Sequence, residues 1–349
     1  MRHLKPILAL YIVIAALACN MAGQNASRKR IIIDTDPGTD DALALMLAFN
    51  SPEFEIEAIT VVPGNVTAEQ GLQNALKLVT LANRCDIPVA GGAKHPLLQK
   101  LVTAEFWHGK NGLANIELPT KCHADPRFGP DLIIELLHKY PHEITLVPVG
   151  PLTNIALALS KDPSIAGLAK EVVIMGGSIS GGNVNAAAEA NIYNDPDAAQ
   201  IVFNAGWPLT MVGLDVGNKT LLSSKEVNAL QAAPGPMSNF VATVGQFLLD
   251  LSRKYGFTGA AMYDPLAMGV ALDPAIVTTE AMRVDVETRG QFTRGETVAN
   301  RQGYLEHNVL EGDHYIISGL EKVEPNAKVC VDVKADRFLN MLVSRIKGK

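Results

Sequence analysis

Short apolar runs that end in acidic, proline or glycine corners and then give way to helical spacing recur along most of the chain. Ile31-Ile32-Ile33 runs into Asp34, and Ala42 to Phe49 follows with helical spacing. Ile56 to Val62 runs into Pro63-Gly64-Asn65, with a helical stretch behind it through Leu81. Ile144 to Val147 leads into Pro148-Val149-Gly150 and a helix over Leu152 to Leu159. Val172 to Met175 meets Gly176-Gly177-Ser178, and Leu209 to Val212 stops at Gly213. Runs without polar alternation are strands covered on both faces. Their alternation with helices predicts an α/β fold, a doubly wound, mostly parallel sheet with helices on both faces. No linker divides the chain, so a single large domain is expected.

In open sheets of this kind the site lies beyond the carboxyl ends of the strands. Those ends carry Asp34, Asp36, Asp40, Asp41, Asn65 and the Pro148–Gly150 corner. The segment from Gly176 to Asn194 is long for a plain connection and carries Asn183, Glu189 and Asn191, which marks it as functional. Asn194-Asp195-Pro196 reads as an N-cap with proline at the first helical position, so a helix starts there.

Composition narrows the classes. The chain has 349 residues, enough to bury a core without a disulfide or metal staple. With 36 acidic against 30 basic residues and 5% aromatics, it lacks the basic face and stacking rings of a nucleic-acid binder. Arg2 and Lys5 precede an apolar run from Ile7 to Cys19 that is short for a transmembrane span and fits a secretory signal. Ala16-Leu17-Ala18 is an acceptable cleavage site, and Cys19 behind it also resembles a bacterial lipoprotein acceptor. The expected organisation is a signal peptide over 1–18, a polar segment over 19–30 and one domain over 31–349, exported to the periplasm or cell envelope. Cys85, Cys122 and Cys330 show no metal spacing and are expected to be scattered structural or free thiols, although an exported chain could pair two of them.

The densest chemistry is Asp34-Thr35-Asp36-Pro37-Gly38-Thr39-Asp40-Asp41, four carboxylates at the end of an apolar strand. Ionised together they repel one another, and a cation resolves the repulsion. Carboxylates without cysteine or a nearby histidine favour a hard ion, Ca²⁺ or Mg²⁺. Asp40 and Asp41 could instead cap the following helix, which leaves Asp34 and Asp36 unaccounted for.

Asp34 to Ala42 also resembles the N-terminal fingerprint of the inosine–uridine-preferring nucleoside hydrolases. The resemblance continues, in order, through Pro63-Gly64-Asn65, His108-Gly109, Gly112-Leu113 and Gly150-Pro151-Leu152-Thr153-Asn154. Met175-Gly176-Gly177-Ser178, Glu189-Ala190-Asn191 and Asp264-Pro265-Leu266 complete it. It implies calcium-dependent hydrolysis of the N-glycosidic bond of ribonucleosides. Asp36, Asp41 and Asp264 match the calcium carboxylates, and the backbone carbonyl of Val149 matches a further ligand. Asp36 would also activate the attacking water. Asp40, Asn65, Asn183, Glu189 and Asn191 match positions that hold the ribose, and Met175 one that lines the sugar pocket. Asp34 would orient its neighbours. The resemblance further implies a homo-oligomer, a dimer or tetramer.

The base side departs from the pattern. Tyr263 stands where many purine-cleaving members carry a histidine, which leaves His108 as the remaining titratable residue near the base. Tyr255 could reach the base or simply pack on its helix. Two rivals share these residues: a haloacid-dehalogenase-like phosphatase with Asp34 as nucleophile, and an exported nucleoside- or ribose-binding protein without turnover.

Overall fold

Ile31 and Ile33 enter one apolar cluster and Ile32 enters another. The first strand, β1 (Lys29–Thr35), is therefore buried on both faces from Ile31 onward, because successive side chains alternate and the three that follow Lys29 and Arg30 are all apolar. Full burial of each isoleucine contributes about 1.5–3 kcal/mol. The same division recurs at Leu146 and Val147, and at Val172 and Val173. The computed structural model describes residues 28–311 and 313–348; the expected signal peptide, Cys19 and the polar segment up to residue 27 lie outside the described residues.

After β1 come α1 (Thr39–Phe49), β2 (Phe54–Val61), α2 (Ala68–Leu81), β3 (Val89–Gly91), α3 (Glu105–His108), α4 (Gly129–Lys139), β4 (Ile144–Pro148) and α5 (Thr153–Lys161). Next are α6 (Ile165–Leu168), β5 (Glu171–Met175), α7 (Ala190–Asn194), α8 (Pro196–Phe203), β6 (Leu209–Val212) and α9 (Leu214–Gly217). Two small strands, β7 (Leu221–Leu222) and β8 (Ala260–Ala261), enclose α10 (Ser224–Gln231) and α11 (Pro236–Lys254). The rest is α12 (Tyr263–Leu272), β9 (Val277–Val286), β10 (Thr297–Asn300), β11 (Tyr304–Glu311), β12 (His314–Lys322), β13 (Ala327–Val333) and α13 (Ala335–Lys347).

The main sheet has the order β10-β9-β13-β6-β5-β4-β1-β2-β3. It is parallel from β3 across to β13, while β9 and β10 add an antiparallel edge that the apolar runs do not announce. The expected doubly wound, mostly parallel single domain is what the chain forms. From β1 the chain builds outward through β2 and β3, then returns to add β4, β5 and β6 on the other side. The order reverses between β1 and β4, where Asp34 pairs in register with Pro148. A crevice outside the strand ends opens at such a reversal.

Local starts follow from side-chain chemistry. Helix α1 begins three residues ahead of Ala42, because the Asp41 carboxylate accepts the Gly38 N–H and closes the first turn. Asp195 caps α8 by accepting the Ala198 N–H, with Pro196 at the first helical position as expected. The long segment after β5 ends in a helix, α7, which Glu189 caps.

One expectation fails. Cys85 and Cys122 form a disulfide with Cα atoms 5.2 Å apart, and among the described residues only Cys330, buried in β13, remains free. The two cysteines are 37 residues apart. They meet because the Thr80 hydroxyl, in the last turn of α2, accepts the N–H groups of Lys121 and Cys122 and returns that strand of chain to the helix end.

A candidate carboxylate and amide site at the sheet reversal

The acids at the end of β1 converge with Asp264, from the first turn of α12. One carboxylate oxygen from each of Asp40, Asp41 and Asp264 lies within 4.8 Å of the others. Asp36 stands beside this trio, close enough that its charge helps raise the Asp264 pKa. Burial is the first cause of the upward shift at Asp36, Asp40, Asp41 and Asp264, and mutual repulsion adds to it at Asp36, Asp41 and Asp264. Asp40 rises to about 6. Asp36 Oδ1 and Asp40 Oδ1 are buried with no hydrogen-bond partner. Buried anionic oxygens without donors are costly, and a cation among them removes the cost. The site chemistry therefore fits a hard cation.

Asp34 Oδ2 is likewise buried without a partner, whereas the other oxygens of Asp36 and Asp41 are held. Asn65 donates its backbone N–H to Asp36 Oδ2 at 2.6 Å and its amide to Asp41 Oδ2 at 2.8 Å, bracing both acids. Asp41 Oδ1 also accepts the Thr35 hydroxyl. Gly64 and Gly150 flank the Asp36 carboxylate so closely that a Cβ on either would press into it. Asp34 turns away from the trio. Its Oδ1 accepts the Asn154 amide at 2.7 Å and the Thr60 hydroxyl, and burial pushes its pKa up to about 7. A phosphatase nucleophile has to face its substrate, and this buried, doubly bonded carboxylate does not suit that role.

Across the reversal, Asn191 donates its amide to the Val149 carbonyl at 2.9 Å and the Met175 carbonyl at 3.1 Å, tying the ends of β4 and β5 together. The buried Met175 sulfur lies 3.2 Å from the same nitrogen. Glu189 accepts the N–H groups of Gly177, Asn191 and Ile192, while burial raises its pKa to about 6. Asn183 stands apart from these residues. It sits exposed in a turn closed by its own N–H to the Ala188 carbonyl, and its side chain makes no hydrogen bond among the described residues.

His108 is buried, not solvated as a loop histidine would be. It lies at the end of α3 with Nδ1 accepting the Thr39 N–H, 3.6 Å from Asp40 Oδ1. Tyr263, one residue before Asp264, donates its hydroxyl to Asn218 Oδ1 at 2.9 Å, and its ring covers Gly217. Burial raises the phenol pKa further, helped by the charges of Asp40 and Glu189. Tyr255 caps the end of α11 with the Lys254 ammonium 5.6 Å from its ring centroid. Its ring meets Phe106 at 5.5 Å and Trp107 at 5.6 Å, forming an exposed aromatic cluster beside His108. Thr39, Thr60, Asn154 and Asn218 hold site residues in place, yet only Thr39 and Asn154 stand in motifs that the sequence singles out.

A family profile described as inosine-uridine preferring nucleoside hydrolase matches residues 31–340. The chain is 40% identical over 325 residues to the pyrimidine-specific ribonucleoside hydrolase RihA of Salmonella arizonae, covering 91% of this chain and 98% of that protein. Among solved structures, the plant nucleoside hydrolase PpNRh1 superposes with a TM-score of 0.83 at 34% identity, covering 92% of this chain and 99% of the other. The purine-preferring ribonucleoside hydrolase of Gardnerella vaginalis gives 0.82 at 37% identity, with 92% and 98% covered. With the site geometry and these likenesses together, the chain belongs to the inosine-uridine preferring nucleoside hydrolase family.

Proposed function

We propose that this enzyme hydrolyses the N-glycosidic bond of ribonucleosides to ribose and free base with Ca²⁺ as cofactor, Asp36 activating the water. The observation that carries the reading is the pair of buried, unpartnered oxygens, Asp36 Oδ1 and Asp40 Oδ1, beside Asp41 and Asp264. Asp36, Asp41, Asp264 and the Val149 carbonyl would hold the ion; that carbonyl keeps a second lone pair besides the one that receives Asn191. When bound, Ca²⁺ supplies the charge that acidifies a water molecule and grips the ribose diol.

The chain's own groups do the rest. Asp36 has one oxygen fixed by Asn65 and the other free, so it is oriented to take a proton from the attacking water. Asp40, Asn65, Glu189 and Asn191 hold the sugar hydroxyls and Met175 lines the sugar pocket, while Asn183, expected among them, stays in its exposed turn. The acids also supply negative potential as the ribose becomes an oxocarbenium ion, which favours the transition state over the neutral substrate. Tyr263 and His108 face the base as neutral groups.

The RihA relative is named pyrimidine-specific and the Gardnerella vaginalis enzyme purine-preferring, so the test is a panel of uridine, cytidine, inosine and adenosine. Ribose release from at least one is expected, lost on chelation and restored by Ca²⁺. No release from any of the four in calcium-replete buffer would overturn the reading. Asp36→Asn is expected to lower turnover by about 10²–10⁴ while sparing the fold, the range for loss of a general base.

Export over residues 1–18 is part of the same proposal. The Cys85–Cys122 disulfide supports it, because such bonds persist in oxidising compartments. Intact mass of the chain purified from cells expressing the whole gene tests it. A chain starting at Cys19, free or lipidated, is expected, and one that retains residues 1–18 would defeat it.

A further inference from the structure

Asn74 lies in the middle of α2, fully buried, on a helix otherwise packed through Ala75, Leu76, Leu78 and Val79. An amide in such surroundings is costly unless its donors and acceptor are used. Here they are. The nitrogen donates to the Pro37 carbonyl at 2.9 Å and the Asn111 carbonyl at 2.7 Å, and the oxygen accepts the Gln70 amide at 2.9 Å. Two carbonyls on one nitrogen fix which way the amide points. Pro37 follows Asp36 directly, while Asn111 stands three residues beyond His108. One side chain thus ties the acid loop to the turn that carries His108.

That turn is a single hydrogen-bonded unit. Asn111 Oδ1 accepts the N–H groups of Leu113 and Asn115, and its own amide donates to the Ile116 carbonyl. The Ala114 N–H returns to the His108 carbonyl at 2.8 Å. Further along, the Thr80 hydroxyl and the disulfide hold the chain at Lys121 and Cys122, well past the turn. The acid loop has holds of its own: Asn65 on Asp36 and Asp41, and Thr35 and Gly38 on Asp41. Loss of the Asn74 amide therefore frees the His108 turn more than it frees the acids.

We propose that Asn74 is a positioning residue for glycosidic cleavage, setting His108 at the leaving base against the acids on the sugar side. It touches neither substrate nor ion. The bond to be broken lies between the two groups it joins, and a displacement near 1 Å at a reacting group costs about 100-fold in rate. The inference rests on the proposed nucleoside hydrolysis, with His108 on the base side.

Steady-state kinetics on uridine and inosine with the full chain test it, in a double-mutant cycle with His108→Ala. Asn74→Ala is expected to lower kcat/KM by about 10- to 100-fold. In the His108→Ala background the same change should cost no more than about threefold, because its effect passes through the imidazole. Calorimetric Ca²⁺ affinity should stay within about twofold of wild type, against the roughly 10- to 100-fold loss expected of a residue that orients metal ligands. Gln70 donates to Asn74 from a partly exposed position, so Gln70→Ala decides the matter should Asn74→Ala fail to fold. It is expected to cost about threefold, the scale of one hydrogen bond, and nothing further without His108. A loss that multiplies in full in the His108→Ala background overturns the proposal, as does a silent His108→Ala. So does Asn74→Ala activity within about threefold of wild type, or Ca²⁺ affinity weakened about tenfold, which would give Asn74 to the acids. A wild type inactive on the nucleosides fails the hydrolase reading itself, whereas an active one with multiplying losses fails Asn74 alone.

Discussion

His108 Nδ1 accepts the backbone N–H of Thr39 at 3.1 Å and lies 2.7 Å from the Thr39 hydroxyl. Thr39 opens α1, the helix whose first turn carries Asp40 and Asp41, so the imidazole ring is fixed against the acid-bearing helix end. A ring nitrogen that accepts a backbone N–H carries no proton, which leaves a neutral ring protonated on Nε2.

A neutral His108 has a kinetic consequence. Burial pushes its pKa down to about 4, against the pull of Asp41. Between about pH 6 and 8 the ring does not titrate, so it shapes the pocket without setting a limb of the pH profile. His108→Ala is expected to lower kcat/KM by about 10- to 100-fold and leave the profile's shape unchanged. A limb near pH 6.5 in the wild type that disappears in the variant would refute this.

The buried acids predict an unusual stability profile for the metal-free protein. Asp34 rises to about 7, Asp40 and Glu189 to about 6, and Asp36 and Asp264 lie well above the ordinary range, with burial the first cause in each. For an acid with a raised folded pKa, the associated stability is fully present below the unfolded value near about 4 and is lost as pH rises through the folded value. Chelated protein is therefore expected to have its highest Tm near about pH 5 and a progressively lower one towards pH 8. Ca²⁺ should recover the loss at the high end, where the acids are ionised and bind it best. A chelated protein whose Tm stays flat or rises across this window counts against the assigned cluster.

Crowding around Asp36 gives a third outcome. A Cβ at Gly64 would stand 2.8 Å from the Asp36 carboxyl carbon and 2.8 Å from a Pro151 ring carbon. At Gly150 it would meet Asp36 Oδ1 at 2.6 Å and a Val62 methyl at 2.9 Å. Contacts this short force a shift, and a displacement near 1 Å at a reacting group costs about 100-fold in rate. Gly64→Ala and Gly150→Ala are each expected to lose about that much kcat while circular dichroism stays native. Wild-type kcat in both variants would show that the Asp36 position is not critical.

Much of this was legible in the chain and some was not, for a physical reason. Strands β1, β4 and β5 show as apolar runs because each is covered on both faces, and the acids follow β1 directly. Asp195 and Pro196 mark a helix start through local chemistry alone. Asp264 joins the acids from more than 200 residues away, and only the family resemblance pointed to it. Thr60 and Asn154 on Asp34, Asn218 on Tyr263 and Cys85 on Cys122 are long-range pairings that periodicity does not encode. The antiparallel edge and the β11–β12 ribbon were equally silent, since their exposed strands lack the buried runs that announce the others.

Tyr263 offers the sharpest test of the base side. Its hydroxyl is engaged as a donor to Asn218, and burial together with Asp40 and Glu189 holds the phenol neutral. Such a group can orient a base or accept a hydrogen bond from it, but it is a weak proton donor at neutral pH. A histidine at this position faces two opposing influences: burial lowers its pKa, while the nearby carboxylates raise it. The balance leaves an acid closer to neutrality than tyrosine. Tyr263→His is therefore expected to raise the ratio of inosine to uridine turnover by about tenfold, equivalent to about 1.4 kcal/mol in relative barrier. Tyr263→Phe keeps a ring over Gly217 and loses only the hydroxyl, so it should leave that ratio within about twofold of wild type. Equal ratios in the wild type and the histidine variant would remove Tyr263 from the base pocket. A phenylalanine variant that shifts the ratio as far as histidine does would assign the effect to ring packing instead of proton donation.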